Sequence, residues 1–135
     1  MMPSLKPGLT HKLFYKVPEN RTVPYLCPES AQFSSMPKVF ATGYMVGLFE
    51  WACIELMKNH LEPGEGSLGI HVDFSHLAAT PPGLTITVEA ECTGVDGRRL
   101  SFKVRGACVL CPRSEAPQLS CIHSKCTGSI EFSWH

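Results

Sequence analysis

The chain has 135 residues, 44% hydrophobic and 18% charged, enough for one compact domain (residues 1–135) with a modest core. Twelve Lys plus Arg offset twelve Asp plus Glu, so neither a nucleic-acid footprint nor a polybasic membrane anchor is expected. The apolar run that begins at Val39 meets its first charge at Glu50, well short of the roughly 18 residues of a membrane span. The opening MMPSLKPGLTHK lacks the apolar core of a secretory signal, which predicts a cytoplasmic protein. Lys6, Lys12 and Lys16, with no acid before Glu19, leave a mitochondrial address open.

In chain order, His11 to Val17 reads as a first strand, closed by the turn cluster Val17-Pro18-Glu19-Asn20. The following stretch to Pro37 is loop-like but carries Tyr25, Leu26, Phe33 and Met36, so it is expected to lie over another part of the molecule. A helix is predicted from about Ala41 to His60, stopped by Leu61-Glu62-Pro63-Gly64. Its apolar residues occupy nearly every azimuth, which predicts burial on most sides. Thr42, taken alone, reads as its N-cap. The period then changes to two. In Gly69 to Thr80, Ile70, Val72, Phe74, His76 and Ala78 share one face, and His71, Asp73, Ser75 and Leu77 the other. After Pro81-Pro82-Gly83, Leu84 to Glu91 alternates again and Asp96-Gly97 marks a hairpin turn. Leu100, Phe102 and Val104 then face away from Arg99, Ser101, Lys103 and Arg105, and a last strand is expected within Leu119 to Phe132.

One strand, a long helix and four strands joined by short hairpins describe an α+β hot-dog fold, a curled five-stranded antiparallel sheet wrapped around one long central helix. A single sheet of this kind leaves an open edge, so pairing of two copies is expected. Seven cysteines, an odd count with no secretory signal, predict reduced thiols. Cys108, Cys111, Cys121, His123 and Cys126 include zinc-ligand types, but strands would turn the C-x2-C pair to opposite faces, so ordinary thiols and no metal are expected.

Glu50 is the residue that demands a reason, because burying an ionised carboxylate without a partner costs several kcal/mol. A helix face touching solvent or a subunit boundary would explain it; so would a carboxylate held partly desolvated to act as base or nucleophile. His76, alone on an apolar strand face, reads first as a satisfied core histidine. Thr42 and Glu50 lie eight residues apart, on nearly the same side of the helix and about 12 Å from one another, and a curled sheet points His76 back toward that helix. A hydroxyl, a carboxylate and an imidazole would then surround one cleft.

The blocks FATGYMVGLFEWAC, LEPGEGSLG, HLAATPPGLTITVEAE and GRRLSFKV resemble the bacterial fluoroacetyl-coenzyme A thioesterase and its relatives among hot-dog thioesterases, over roughly His11 to Arg105. The resemblance implies hydrolysis of a short-chain acyl-CoA at a dimer-interface site, with Thr42, Glu50 and His76 catalytic and the Gly69 N–H holding the thioester carbonyl. It implies no cofactor beyond the coenzyme A of the substrate, and a homodimer or a tetramer of two dimers. Phe33, Met36 and Phe40 would line the acyl site, with Met36 where the family has a second phenylalanine. Lys125, in His123-Ser124-Lys125, replaces the arginine of the family's His-Glu-Arg run and lacks its planar bidentate grip. Arg99, Lys103 and Arg105 would meet coenzyme A phosphates or, the simpler reading, form a solvated strand face. A hot-dog hydratase and a catalytically silent acyl-CoA-binding or scaffold module are the rival readings.

Overall fold

The computed structural model describes residues 1–76, 79–110 and 122–135. Strand β1 (Thr10–Lys16) is followed by two 3-10 turns, a one-turn helix α1 (Ala31–Ser34) and the long helix α2 (Thr42–Met57), which continues as a 3-10 turn over Lys58–His60. Strands β2 (Ser67–His76), β3 (Thr85–Asp96), β4 (Arg99–Leu110) and β5 (Ile122–Trp134) complete a five-stranded antiparallel sheet of order β1-β3-β4-β5-β2. This is the expected curled sheet around one central helix. The expectation of short hairpins throughout needs correction. Among the described residues, only β3 and β4 meet through a tight turn, at Asp96-Gly97, where Gly97 has φ 57°. β2 pairs with β5 alone, at the edge opposite β1, so the chain crosses from one side of the sheet to the other before entering β3.

The core forms where alternate strand residues meet one face of α2. Ile86, Val88, Ala90 and Cys92 of β3, Leu100, Phe102 and Val104 of β4, and Ile130 and Phe132 of β5 are buried against Met45, Leu48, Phe49, Ala52, Cys53, Leu56 and Met57. Gly106 sets how close these layers come, and Gly128 makes room within the sheet for its β2 neighbour. A Cβ on Gly106 would lie 3.0 Å from the ring of Phe49, and one on Gly128 would fall on the Phe74 ring and the Asp73 carbonyl. Phe49 and Phe74 themselves meet edge to face at 5.0 Å. The helix is less enclosed than its composition predicts. The sheet reaches only one side of it, so Gly43 and Gly47 are exposed and Trp51 and Ile54 are each 44% exposed.

The segment before α2 does lie over something: the start of the helix. Val23 N–H donates to the Val39 carbonyl (2.9 Å), Ala41 N–H to the Arg21 carbonyl (3.2 Å), and Leu26 covers Gly43. Phe40 N–H donates to the Thr80 carbonyl (2.7 Å), which ties the helix entry to the chain leaving β2. Among the described residues, no helix is long and apolar enough to cross a membrane. Gly128→Ala is expected to destabilise the protein by about 1–3 kcal/mol through overpacking against Phe74. Gly47→Ala, exposed and with open space at its Cβ, should stabilise it by up to about 1 kcal/mol. Urea unfolding of the two variants checks both.

Candidate functional site

A break in strand periodicity builds the site. Along β2, Gly69 pairs with Phe132, His71 with Glu131 and Val72 with Ile130, so Ile70 is an inserted residue and the register shifts between Gly69 and His71. Strict alternation would put Gly69 on the face opposite Val72, Phe74 and His76; the bulge brings all four to the helix side. There Gly69 meets Glu50. A Cβ on Gly69 would clash with Glu50 Oε1 and lie 3.5 Å from its carboxyl carbon, so glycine is what makes room for the carboxylate. Glu50 is half-buried at the helix border facing the β2 edge, where the carboxylate keeps contact with water.

The second pair forms at the other end of the same face. Thr42 Oγ1 and His76 Nδ1 share a 2.9 Å hydrogen bond, with the donor set by the ring tautomer. Thr42 is therefore not the N-cap. That position belongs to Ala41 (φ −73°, ψ 138°), with no side-chain capping bond, and Thr42 is the first helical residue with its hydroxyl committed to the strand. His76 is half-buried and stands beside the buried Cys126 across the β2–β5 ladder, a neighbour that strand periodicity alone did not reveal. The two pairs sit about two helical turns apart, roughly 12 Å along α2.

Residues 25–108 match the model of the fluoroacetyl-CoA-specific thioesterase family. The chain belongs to that family. It is similar to the fluoroacetyl-CoA thioesterase of Streptantibioticus cattleyicolor, 59% identical over 90 residues, which are 67% of this chain and 65% of that protein; the match thus spans under two thirds of the relative's length. It superimposes on a solved fluoroacetyl-CoA thioesterase with a TM-score of 0.82 at 44% identity, covering 97% of this chain and 88% of that one. A threonine-to-serine variant of that enzyme in complex with acetyl-CoA matches equally, at TM-score 0.82 and 43% identity over 97% and 90% of the two chains.

The remaining family positions lie apart from the two pairs. Phe33 is half-buried in α1, and Met36, two residues past its end, is exposed. Phe40 is buried, its ring 6.0 Å from that of Tyr15. Lys125 pairs with Ala107 in the β4–β5 ladder, and its side chain is outside the described residues. So are Cys111 and Cys121 and the side chains of Cys108 and His123; among the described residues, no group of three His, Cys, Asp or Glu is placed to hold a metal. On the outer face Arg105 bonds Glu89 at 2.9 Å and Arg99 approaches Glu131 at 3.8 Å, as a solvated strand face would.

Cys53 lies one turn beyond Glu50. Burial pushes its thiol up to about 12, and the nearby Glu50 charge and Cys92 add to the shift. Because the folded value stands above the ordinary 9.0, the neutral thiol's contribution to stability is complete below pH 9 and is lost as pH rises toward 12. Removing the charge in Glu50→Gln should lower the pH at which Cys53 ionises in the folded protein. Ultraviolet thiolate absorbance against pH, taken as the difference between proteins with and without Cys53→Ala, measures this; an unchanged difference profile would show that the carboxylate does not reach the thiol.

Proposed function

We propose that the protein hydrolyses short-chain acyl-CoA thioesters, with Glu50 against Gly69 as the reacting centre. The observation that carries this reading is the bulge that turns Gly69 to the helix side, since it sets the Glu50 carboxylate against a backbone position free of side chain at the strand edge. Glu50 would attack the thioester carbonyl or take the proton of an attacking water; either way the electron pair moves onto the carbonyl oxygen, next to the Gly69 N–H. Collapse of that oxyanion expels the coenzyme A thiolate. His76, oriented by Thr42, would protonate the departing sulfur so that it leaves as thiol. Where Glu50 itself attacks, water then cleaves the resulting glutamyl anhydride, releasing the acid and restoring the carboxylate. On either path water and thioester become acid and thiol, and coenzyme A enters only as part of the substrate. A family likeness to a protein acting on fluoroacetyl-CoA and to a variant holding acetyl-CoA supports a two-carbon or similarly short acyl group. Reduced thiols and acyl-CoA supply both fit the cytoplasm.

The 12 Å between the two pairs is too far for one carbonyl, and a second copy resolves it. β2 is an open edge with Leu68, Ile70 and Val72 exposed at 63%, 49% and 45%. Antiparallel pairing of two β2 strands about a two-fold axis at Asp73, with Ile70 bulged out of the ladder, would set Gly69 of one copy opposite His76 of the other. Glu50 and Gly69 would then work with the Thr42 and His76 of the partner, in a homodimer with two composite sites. Phe33, Met36 and Phe40 would close the acyl end, and two such dimers would give a tetramer.

Release of thiol from acetyl-, fluoroacetyl-, propionyl- and longer acyl-CoA, followed with a chromogenic reagent, tests the chemistry. Glu50→Gln should lower turnover by roughly 100-fold or more; undiminished turnover would end this mechanism, and binding without release would leave a silent acyl-CoA-binding module. The composite site has its own test. Glu50→Gln and His76→Ala proteins, each inactive, should recover roughly a quarter of wild-type turnover when unfolded and refolded together, because half of the dimers are mixed and each mixed dimer carries one intact site. No recovery would place all catalytic groups in a single copy.

A further inference from the structure

On the β1 side of α2, about a quarter turn around the helix from Glu50, a recess of about 360 Å³ opens between the helix and β1. Its floor is Gly43 and Gly47, where a side chain at Gly47 would meet nothing within 4 Å. Its walls are aromatic and already fixed. Trp51 packs edge-on to Tyr15 (6.2 Å, 83°) and donates its indole N–H to Glu55 (3.2 Å), while the Tyr44 hydroxyl donates to the Tyr25 carbonyl (3.4 Å). The one charge on the lining is Arg21, whose guanidinium carbon sits 5.0 Å from the centre of the Tyr44 ring. Its sequence neighbour Glu19 is engaged with Lys38 at 3.0 Å, and among the described residues no carboxylate lies within ion-pair distance of Arg21.

A pre-formed aromatic pocket of this size holds a small ligand, and its charge decides which. An aromatic cage would take an ammonium group if it were neutral, but Arg21 already occupies the face of Tyr44 and repels a second cation. The same guanidinium offers an unpaired fork of donors to an anion, best a planar carboxylate that it can grip with two bonds. We infer that this recess is a binding site for a planar aromatic monocarboxylate of one or two rings, distinct from the Glu50–Gly69 pair. Trp51 touches β1 and Glu50 touches β2, at opposite edges of the sheet, so the two sites share a helix and no residue.

Calorimetric titration of the intact protein with 2-naphthoate, and with neutral 2-naphthalenemethanol as its uncharged counterpart, tests the inference without using activity. Saturable binding of the acid is expected, with the alcohol at least roughly tenfold weaker. Arg21→Gln should weaken the acid by a similar factor and leave the alcohol unchanged. Gly47→Leu, which fills the recess on an exposed helix face, should abolish both, with circular dichroism confirming an intact fold. Glu50→Gln should bind as wild type does. Absence of saturable binding, equal affinity for acid and alcohol, undiminished binding in Gly47→Leu, or loss in Glu50→Gln would each overturn the assignment.

Discussion

Close approach between one helix and a sheet thinned by glycine governs this structure. At Gly106 the sheet lacks a side chain where Phe49 lies, at Gly128 where Phe74 lies, and at Gly69 where Glu50 lies. Interiors pack at nearly crystalline density, so a missing Cβ is matched by a larger neighbour, from the helix at Gly106 and Gly69 and from the adjacent strand β2 at Gly128. The first two gaps take aromatic rings and strengthen the core. The third takes a carboxylate, at the border where β2 ends the sheet and water begins. One packing device thus serves stability in the middle of the sheet and chemistry at its edge.

Glu50 can stay in this place because it is only half-buried. A carboxylate moved one helical position inward would join Phe49 under the sheet and face an uncompensated desolvation cost, while one moved outward would join Trp51 in solvent, away from the strand. Cys53, further in, feels the cost of burial directly and keeps its proton to high pH. The helix therefore grades from dry to wet within a single turn, and the carboxylate occupies the intermediate setting. Thr42 adds a second tie between helix and strand, given at the expense of its capping role, so that the helix entry is held from outside by Phe40 and Ala41 backbone bonds instead.

Much of this was legible in the chain. The change from helical to strand period after His60 marked the architecture, and Glu50 stood out because a carboxylate in so apolar a run needs a physical reason. Thr42 and His76 were placed correctly toward one another by the period of their elements. Three features were not legible, each because tertiary context decides it. The exposed stripe of Gly43, Gly47, Trp51 and Ile54 depends on how far the sheet wraps, which composition does not report. The crossing from β2 to the far edge depends on which strands pair, and short turn signals suggest hairpins instead. The bulge at Ile70 reverses the parity of Gly69; a glycine inside a strand is its only local sign, and that sign is ambiguous.

Strand order also sets the sequence of events during synthesis. α2 leaves the ribosome well before β3, β4 and β5, the three strands that make the middle of the sheet and bury Phe49, Met45 and Leu56. Until those last fifty or so residues emerge, an almost uncharged apolar segment has no surface to bury against. Long-range pairings of this kind close late and slowly. Elongation pauses in the second half of the message would thus prolong the period when the nascent chain is most prone to stick to its neighbours.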